Sequence, residues 1–485
     1  MNLPLDRHGN AAGWKFDNSY ARLPDVFFAR TNPVPVPSPR IAIFNRSLAE
    51  AMGLDPDSLE TTSGAEIFSG NRIPPEAEPI AQAYAGHQFG HFTMLGDGRA
   101  ILLGEHITPS DGRWDIQLKG SGRTPYSRRG DGRATLGPML REYIISEAMH
   151  ALGIPTSRSL AVATTGETVM REGLLPGAVL TRIAASHIRV GTFEYASASD
   201  APDALPTLVD YTIRRHFPDL LETKNPALAL LDQVIERQAA LIAHWLLVGF
   251  VHGVMNTDNM AVSGETIDYG PCAFLDAYDP ATVFSSIDHH GRYAYGNQPT
   301  IAHWNLARFA ETLLPLLHDN SDQSIEVAKE SLGKFPTRFR HHWLSGMRSK
   351  LGLFTEDPGD IALIESLLET MKSSHADYTT TLRRLDPEQP SAFAPWHETW
   401  KARLSQQPQT FAEARGLMRR HNPAIIPRNH HVEAALQAAV EDDDLAPTER
   451  LLAALASPFE DRDEQSDFLA PPAPGNRVYQ TFCGT

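Results

Sequence analysis

Cysteine is close to absent from this chain. Two occur in 485 residues, Cys272 and Cys483. A disulfide scaffold is thereby excluded, a reducing compartment is the default, and one switchable pair is the most that thiol chemistry can offer. Positive charge is also scarce: 43 Lys and Arg stand against 59 Asp and Glu, a net charge of −16. That balance argues against broad binding to nucleic acid or to an anionic membrane surface. Long hydrophobic runs are missing as well. The most apolar stretch, LIAHWLLVGFVHGVM at 241–255, contains two histidines and follows Glu236 and Arg237. It is too short and too interrupted to span a bilayer and reads as a buried helix entering a loop. The opening MNLPLDRHGN has neither an apolar signal core nor an Arg-rich amphipathic pattern. A soluble, cytoplasmic protein is the expectation. Absent motifs narrow the chemistry further. Without G-x-S-x-G or G-x-x-x-x-G-K-[ST] there is no hydrolase elbow and no Walker loop. His87 and His91 in GHQFGHF have i,i+4 spacing, but no H-E-x-x-H or neighbouring Cys supports zinc. The adjacent pairs His289-His290 and His430-His431 cannot share a helix face.

What is present has a clear order. The length suggests roughly three domain-sized units, and no internal repeats are visible. Residues 1–75 are loop-rich, with NPVPVPSPR at 32–40 forced extended by its prolines. From about 76 to 195 the chain reads as short strands around one helix. GDGRAILLGE at 96–105 is a Gly turn and a strand, and DIQLK at 115–119 alternates apolar and polar residues. The helix begins near Pro138 and stops at Gly153, with Pro155 beyond. After about 200 the pattern turns helical: one long helix over 227–250, then helices near 301–317, 361–376, 398–419 and 429–441. EDRDEQSD at 460–467 and APPAPGN at 470–476 read as a solvated tail. Strands first and helices later, with the polar constellation between, predict an α+β, two-lobed architecture.

HGVMNTDNMAV at 252–262 and DYG at 268–270 carry that constellation. His252 and Asn259 are seven residues apart, the spacing of a kinase catalytic loop H-R-D-x-x-x-x-N, yet Val254 stands where that loop has its basic Asp. Asp258 is the nearest candidate to replace it. Residues 259–270 predict a hairpin turning at Ser263-Gly264-Glu265, which would bring Asn259 and Asp268 together; an amide oxygen and a carboxylate there suit Mg²⁺. A polar hairpin end beside a turn is the plainer alternative. Lys119 ends the alternating strand. Glu142 lies on the helix stripe of Ile145, Met149 and Leu152, where a carboxylate needs a partner. The pairing predicted is a strand Lys held by a helix Glu, the device that fixes a phosphate-gripping lysine. KGSGRTPYSRRGDGR at 119–133 gathers five basic residues among glycines, and Arg182 and Arg189 share a face if their segment is helical. Salt bridges to the surplus acids are the competing explanation.

Taken together, GDGRAILLGE, QLKGSGRTPYSRRGDGRA, REYIISEAMHALGIPT, HGVMNTDNM and TIDYGP resemble the selenoprotein O family of protein adenylyltransferases. The resemblance implies a protein-kinase-like two-lobed fold: an N-terminal extension (1–75), an N-lobe (76–195), a C-lobe with the catalytic loop (196–330), and a helical C-terminal region with a flexible tail (331–485). It implies that ATP binds end for end relative to a kinase and that AMP, not phosphate, passes to Ser, Thr or Tyr hydroxyls of proteins. Lys119 would grip phosphates with Glu142 holding it. Gly96, Gly98 and Arg99 would form the nucleotide-binding turn. Asp131, Gly132, Arg182 and Arg189 would line the pocket of the far phosphates. Asn259 and Asp268 would hold Mg²⁺ or Mn²⁺, and Asp258 would accept the proton. Cys483 stands where some members carry selenocysteine, and a Cys272–Cys483 disulfide is a hypothesis that follows. A monomer is expected. The rivals are a kinase that uses Asp258 as a displaced base and a catalytically silent ATP-binding scaffold.

Overall fold

The computed structural model describes residues 12–389, 393–473 and 480–482. Its first half is built on one twisted antiparallel sheet. The strands are β1 (Phe28–Arg30), β2 (Arg40–Phe44), β3 (Ile80–Gln82), β6 (Ala100–Ile107), β7 (Arg113–Lys119), β8 (Ala134–Thr135), β9 (Arg158–Met170) and β10 (Leu174–Ala184). Their order is β1-β3-β6-β7-β10-β9-β2, with β8 also pairing to β10. A separate hairpin, β4 (Ala85–Gln88) and β5 (His91–Met94), hangs over the site. Residues 1–75 were read as loop-rich, but β1 and β2 supply both edges of the large sheet, and three short helices precede residue 70. These are α1 (Arg46–Ala51), α2 (Pro56–Leu59) and α3 (Thr62–Ser69). Elements this short carry too few periods to show in sequence.

Helix α4 (Leu136–Ala151) packs across the sheet and stops as expected: Gly153 takes a left-handed φ of 76°, and Ile154 N–H donates to Met149 O at 3.0 Å. Strand β7 alternates as read, but neither of its faces is solvated. Ile116 and Leu118 enter an apolar cluster with Phe68 and Val179, while Asp115, Gln117 and Lys119 are equally buried on the other side. A buried polar face must pair internally, and that pairing builds the site.

The second half is helical. It comprises α5 (Val190–Ala198), α6 (Ala204–His216), α7 (Pro226–Val248) and α8 (Gln298–Leu317), then α9 to α17 (Ser321–Leu332, Phe335–Lys350, Asp360–Ser373, Tyr378–Arg384, Ala394–Leu404, Phe411–His421, Asn429–Glu441, Ala446–Leu455 and Ser466–Leu469). The helix expected over 398–419 is two helices. Pro408 interrupts it, and Thr410 opens the second half with a capping box to Glu413. Gln465, in the stretch read as solvated, is buried and donates to the Ala454 and Ser457 carbonyls at 3.0 Å each. Among the described residues no helix is long and apolar enough to cross a membrane.

The expected hairpin over 259–270 does not form. Its turn is present, with Gly264 N–H on Ala261 O at 3.2 Å. Its arms, however, pair with other segments: Ala261 bridges Arg189 and Thr266 bridges Thr156. Val262 N–H goes to Ile188 O and Thr266 N–H to Pro155 O. Each arm thus satisfies its backbone against the first half of the chain, which stitches this loop to the segments flanking β9 and β10.

Candidate active site

Helix α7 ends at Gly249 and the chain passes through β11 (Phe250–Val251), paired with β12 (Ala273–Phe274), into the loop. His252 is fully buried. Its Nε2 lies 2.9 Å from the Ile267 carbonyl, so the imidazole ties the loop to the residue before Asp268. Thr257 to Asn259 form one 3-10 turn. Thr257 Oγ donates to Glu194 at 2.6 Å and accepts from the His87 N–H at 2.7 Å; Asn256 Oδ1 accepts from Phe89 N–H and the Tyr293 hydroxyl. His87, set aside as a zinc ligand, is instead bonded to Glu194.

The loop and the polar face of β7 enclose a cavity of about 390 Å³. Gly98, Arg99, Lys119, Arg182, Arg189, Asp258, Asn259 and Asp268 all line it, together with Tyr84, Gln88, Asp97 and Asn256. Gly96 lies just behind, packed on Tyr126. Lys119 Nζ sits 2.5 Å from Glu142 and 2.8 Å from Asp268. Arg182 reaches Asp268 at 2.6 Å and Glu142 at 3.2 Å, and Arg189 reaches Asp268 at 2.8 Å. Arg182 and Arg189 are not on a helix. Arg182 is on β10, Arg189 precedes α5, and the turn between them folds both guanidinium groups onto one carboxylate. Burial alone would raise Asp268, but Arg182, Lys119 and Arg189 hold it well below the usual carboxylate range.

Asp258 is different. Burial pushes its carboxyl up to about 6, against the pull of Arg189. Its Oδ1 is buried without a hydrogen-bond partner among the described residues. Asn259 commits its amide nitrogen to Val254 O at 2.9 Å, which leaves its amide oxygen as an acceptor. No three His, Cys, Asp or Glu side chains converge as a metal cage among the described residues. The oxygen donors present, an amide, a carboxylate and an orphaned carboxyl oxygen, do fit a hard cation that takes few protein ligands. Charge points the same way. Arg99, Lys119, Arg182 and Arg189 are matched by Asp97, Glu142, Asp258 and Asp268, so an entering triphosphate finds no surplus positive charge without a cation.

Two residues expected in the pocket are elsewhere. Asp131 is exposed and held by Arg171 at 2.7 and 3.0 Å, and Gly132 packs on the Gly122 backbone; neither lines the cavity. The arginines of the basic loop are tied to neighbouring strands: Arg128 bonds the Met94 carbonyl of β5 and Arg133 pairs with Glu167 of β9. Sequence reasoning missed Tyr84, whose ring lies 4.6 Å from the Arg189 guanidinium, and Asp97, buried between the two glycines of the turn and pushed up to about 6 by that burial. The polar residue inside GDG was the available signal for Asp97. Tyr84 offered none. Cys272 is buried; Cys483 lies outside the described residues.

A cleft with a gripped lysine, paired arginines, oxygen donors and an unsatisfied carboxylate is chemically suited to holding the phosphates of a nucleotide. The family model described as "Protein adenylyltransferase SelO" matches residues 11–456. Curated relatives named "Protein nucleotidyltransferase YdiU" are 62% identical over 482 residues in Geobacillus kaustophilus (strain HTA426), covering 98% of this chain and 100% of the relative. The relative from Syntrophotalea carbinolica (strain DSM 2380 / NBRC 103641 / GraBd1) is 60% identical over 488 residues, covering 99% of each chain. The chain belongs to the SelO family of protein adenylyltransferases, and it is a nucleotidyltransferase.

Proposed function

We propose that this enzyme transfers AMP from ATP to hydroxyl side chains of proteins on a kinase-like scaffold, with release of diphosphate. In that reading the sheet with α4 is one lobe and the helical half is the other. The observation that carries it is the grouping of Lys119, Arg182 and Arg189 on Asp268, within the same cavity as the unpaired Asp258 oxygen. In protein kinases one strand lysine and the metal ions serve the transferring γ-phosphoryl; arginines beyond the lysine suit a leaving diphosphate.

ATP would lie with its far phosphates toward Arg189 and Lys119 and its α-phosphorus toward Asp258. Asp258 accepts the proton of the acceptor hydroxyl as that oxygen bonds to the α-phosphorus. The bond from the α-phosphorus to the bridging oxygen breaks, and diphosphate carries away the electron pair, its growing charge met by the cations. Asn259 and Asp268 would hold Mg²⁺ or Mn²⁺, which when bound neutralises phosphate charge. Gly98 and Arg99 form the turn beside the nucleotide.

Incubation with α-labelled and γ-labelled ATP tests the reading. Label enters protein from the α position only. Label from the γ position alone would establish a kinase with a displaced base, and no label from either would establish a silent scaffold.

A further inference from the structure

Arg182 is only 1% exposed, and every nitrogen of its guanidinium is committed to the protein. Nη1 donates to Asp268 and Glu142, Nη2 to Gln117 Oε1 at 2.5 Å, and Nε to His187 Nε2 at 3.1 Å. Arg189, by contrast, keeps a buried Nε without a partner among the described residues. Arg182 therefore acts by where it is held, and four groups hold it.

We infer that His187 is a positioning residue for AMP transfer, keeping the Arg182 guanidinium in register with Asp268 by accepting its Nε–H. An arginine Nε–H can only donate, so His187 Nε2 must be the bare nitrogen of the ring. The proton then sits on Nδ1, which lies 3.0 Å from Asp115 Oδ2, and the His187 backbone N–H donates to the same oxygen at 2.9 Å. Asp115 is fixed in turn. Its other oxygen takes Arg215 Nη2 at 2.6 Å, and Arg215 Nη1 reaches Glu105 at 2.6 Å. An imidazolium would set N–H against N–H at Arg182. Burial keeps the ring neutral, pushed down to about 4. A relay thus runs Glu105–Arg215–Asp115–His187–Arg182–Asp268, along the polar face of the sheet to the cavity. Each side chain in it orients the next, as carboxylate–histidine pairs orient functional groups elsewhere.

This inference rests on the reading of the cleft given above, and the two can fail separately. Full-length His187→Ala and His187→Gln would be compared with the parent and with Arg182→Lys. The readouts are the KM for ATP, kcat, and inhibition by diphosphate and by AMP. His187→Ala raises KM for ATP and weakens diphosphate inhibition by about five- to tenfold, the loss of one buried hydrogen bond. Inhibition by AMP, which lacks the far phosphates, stays unchanged. His187→Gln, whose amide oxygen can replace Nε2, returns both values to within about threefold of the parent. Should His187→Ala not fold, His187→Asn, which can still face Asp115 but falls short of Arg182, shows the same selective loss. Equal weakening toward AMP and diphosphate, or lowered thermal stability with diphosphate inhibition intact, overturns the proposal. Unchanged discrimination in Arg182→Lys brings down the reading of the cleft and this proposal with it.

Discussion

Asp258 has a carboxyl oxygen with no partner among the described residues, in a site where nearly every other polar atom is paired. That is the condition of a base waiting for a substrate proton. Asp258→Asn should lower kcat by about 10²- to 10⁴-fold, the usual worth of general-base catalysis, while ATP still raises the melting temperature. Retained turnover would remove the assignment. Asp258 is also held at close quarters: a Cβ on Gly86 would lie 2.3 Å from its Oδ1. Gly86→Ala must therefore displace the carboxylate. A shift near 1 Å at a reacting group can cost about 100-fold in rate, and a kcat for Gly86→Ala within threefold of the parent would show that the loop yields freely. At this scale the sequence was informative wherever a residue's chemistry contradicts its surroundings. Glu142 on an apolar stripe announced a partner, and a Val in a base's position sent attention to Asp258. Gln117, His187 and Tyr84 were silent, because a buried amide, imidazole or phenol looks ordinary until its neighbours across the sheet are known.

Elements with several periods of pattern were legible, and those defined by remote pairing were not. Helix α15 matches its expected span of 429–441, and α7 and α8 differ from theirs by only a few residues at their ends. The 259–270 segment was misjudged because its turn is local and its partners, Arg189 and Thr156, are not. The helix expected over 398–419 failed for a local reason that was readable. The capping box at Thr410 starts a new helix, with Glu413 N–H on Thr410 Oγ1 at 3.2 Å and Thr410 N–H on Glu413 at 2.7 Å. Thr410→Ala should lower stability by about 1 kcal/mol, the usual value of an N-cap, and leave AMP transfer unchanged. A denaturation midpoint equal to the parent's would mean that α14 is held by packing alone.

The whole molecule distributes its charge unevenly: an acidic total of −16 surrounds a cleft whose charges balance. One cation is stranded far from that cleft. Lys350, at the end of α10, is 3% exposed, with its ammonium donating to His421 O at 3.0 Å and lying 5.9 Å from the Tyr378 ring. Burial pushes it down to about 7 from an ordinary 10.5. Between those values the unfolded chain binds a proton that the native chain does not. Stability from this group therefore rises with pH across that window, by up to about 1.4 kcal/mol per pH unit, and the gain fades below pH 7, where both states carry the proton. The tyrosines Tyr278, Tyr295 and Tyr378 packed nearby are all raised by burial. They oppose this trend only near and above pH 10, where unfolded tyrosine ionises, so pH 7 to 9 isolates the lysine. Urea midpoints of the parent should climb from pH 7 to pH 9. In Lys350→Met, which keeps the chain's bulk and removes the titration, the climb should flatten and the midpoint at pH 7 should be the higher of the two. Parallel pH profiles for parent and variant would mean that Lys350 keeps its proton inside the fold, with the carbonyl of His421 and the Tyr378 ring sufficient to hold a buried charge.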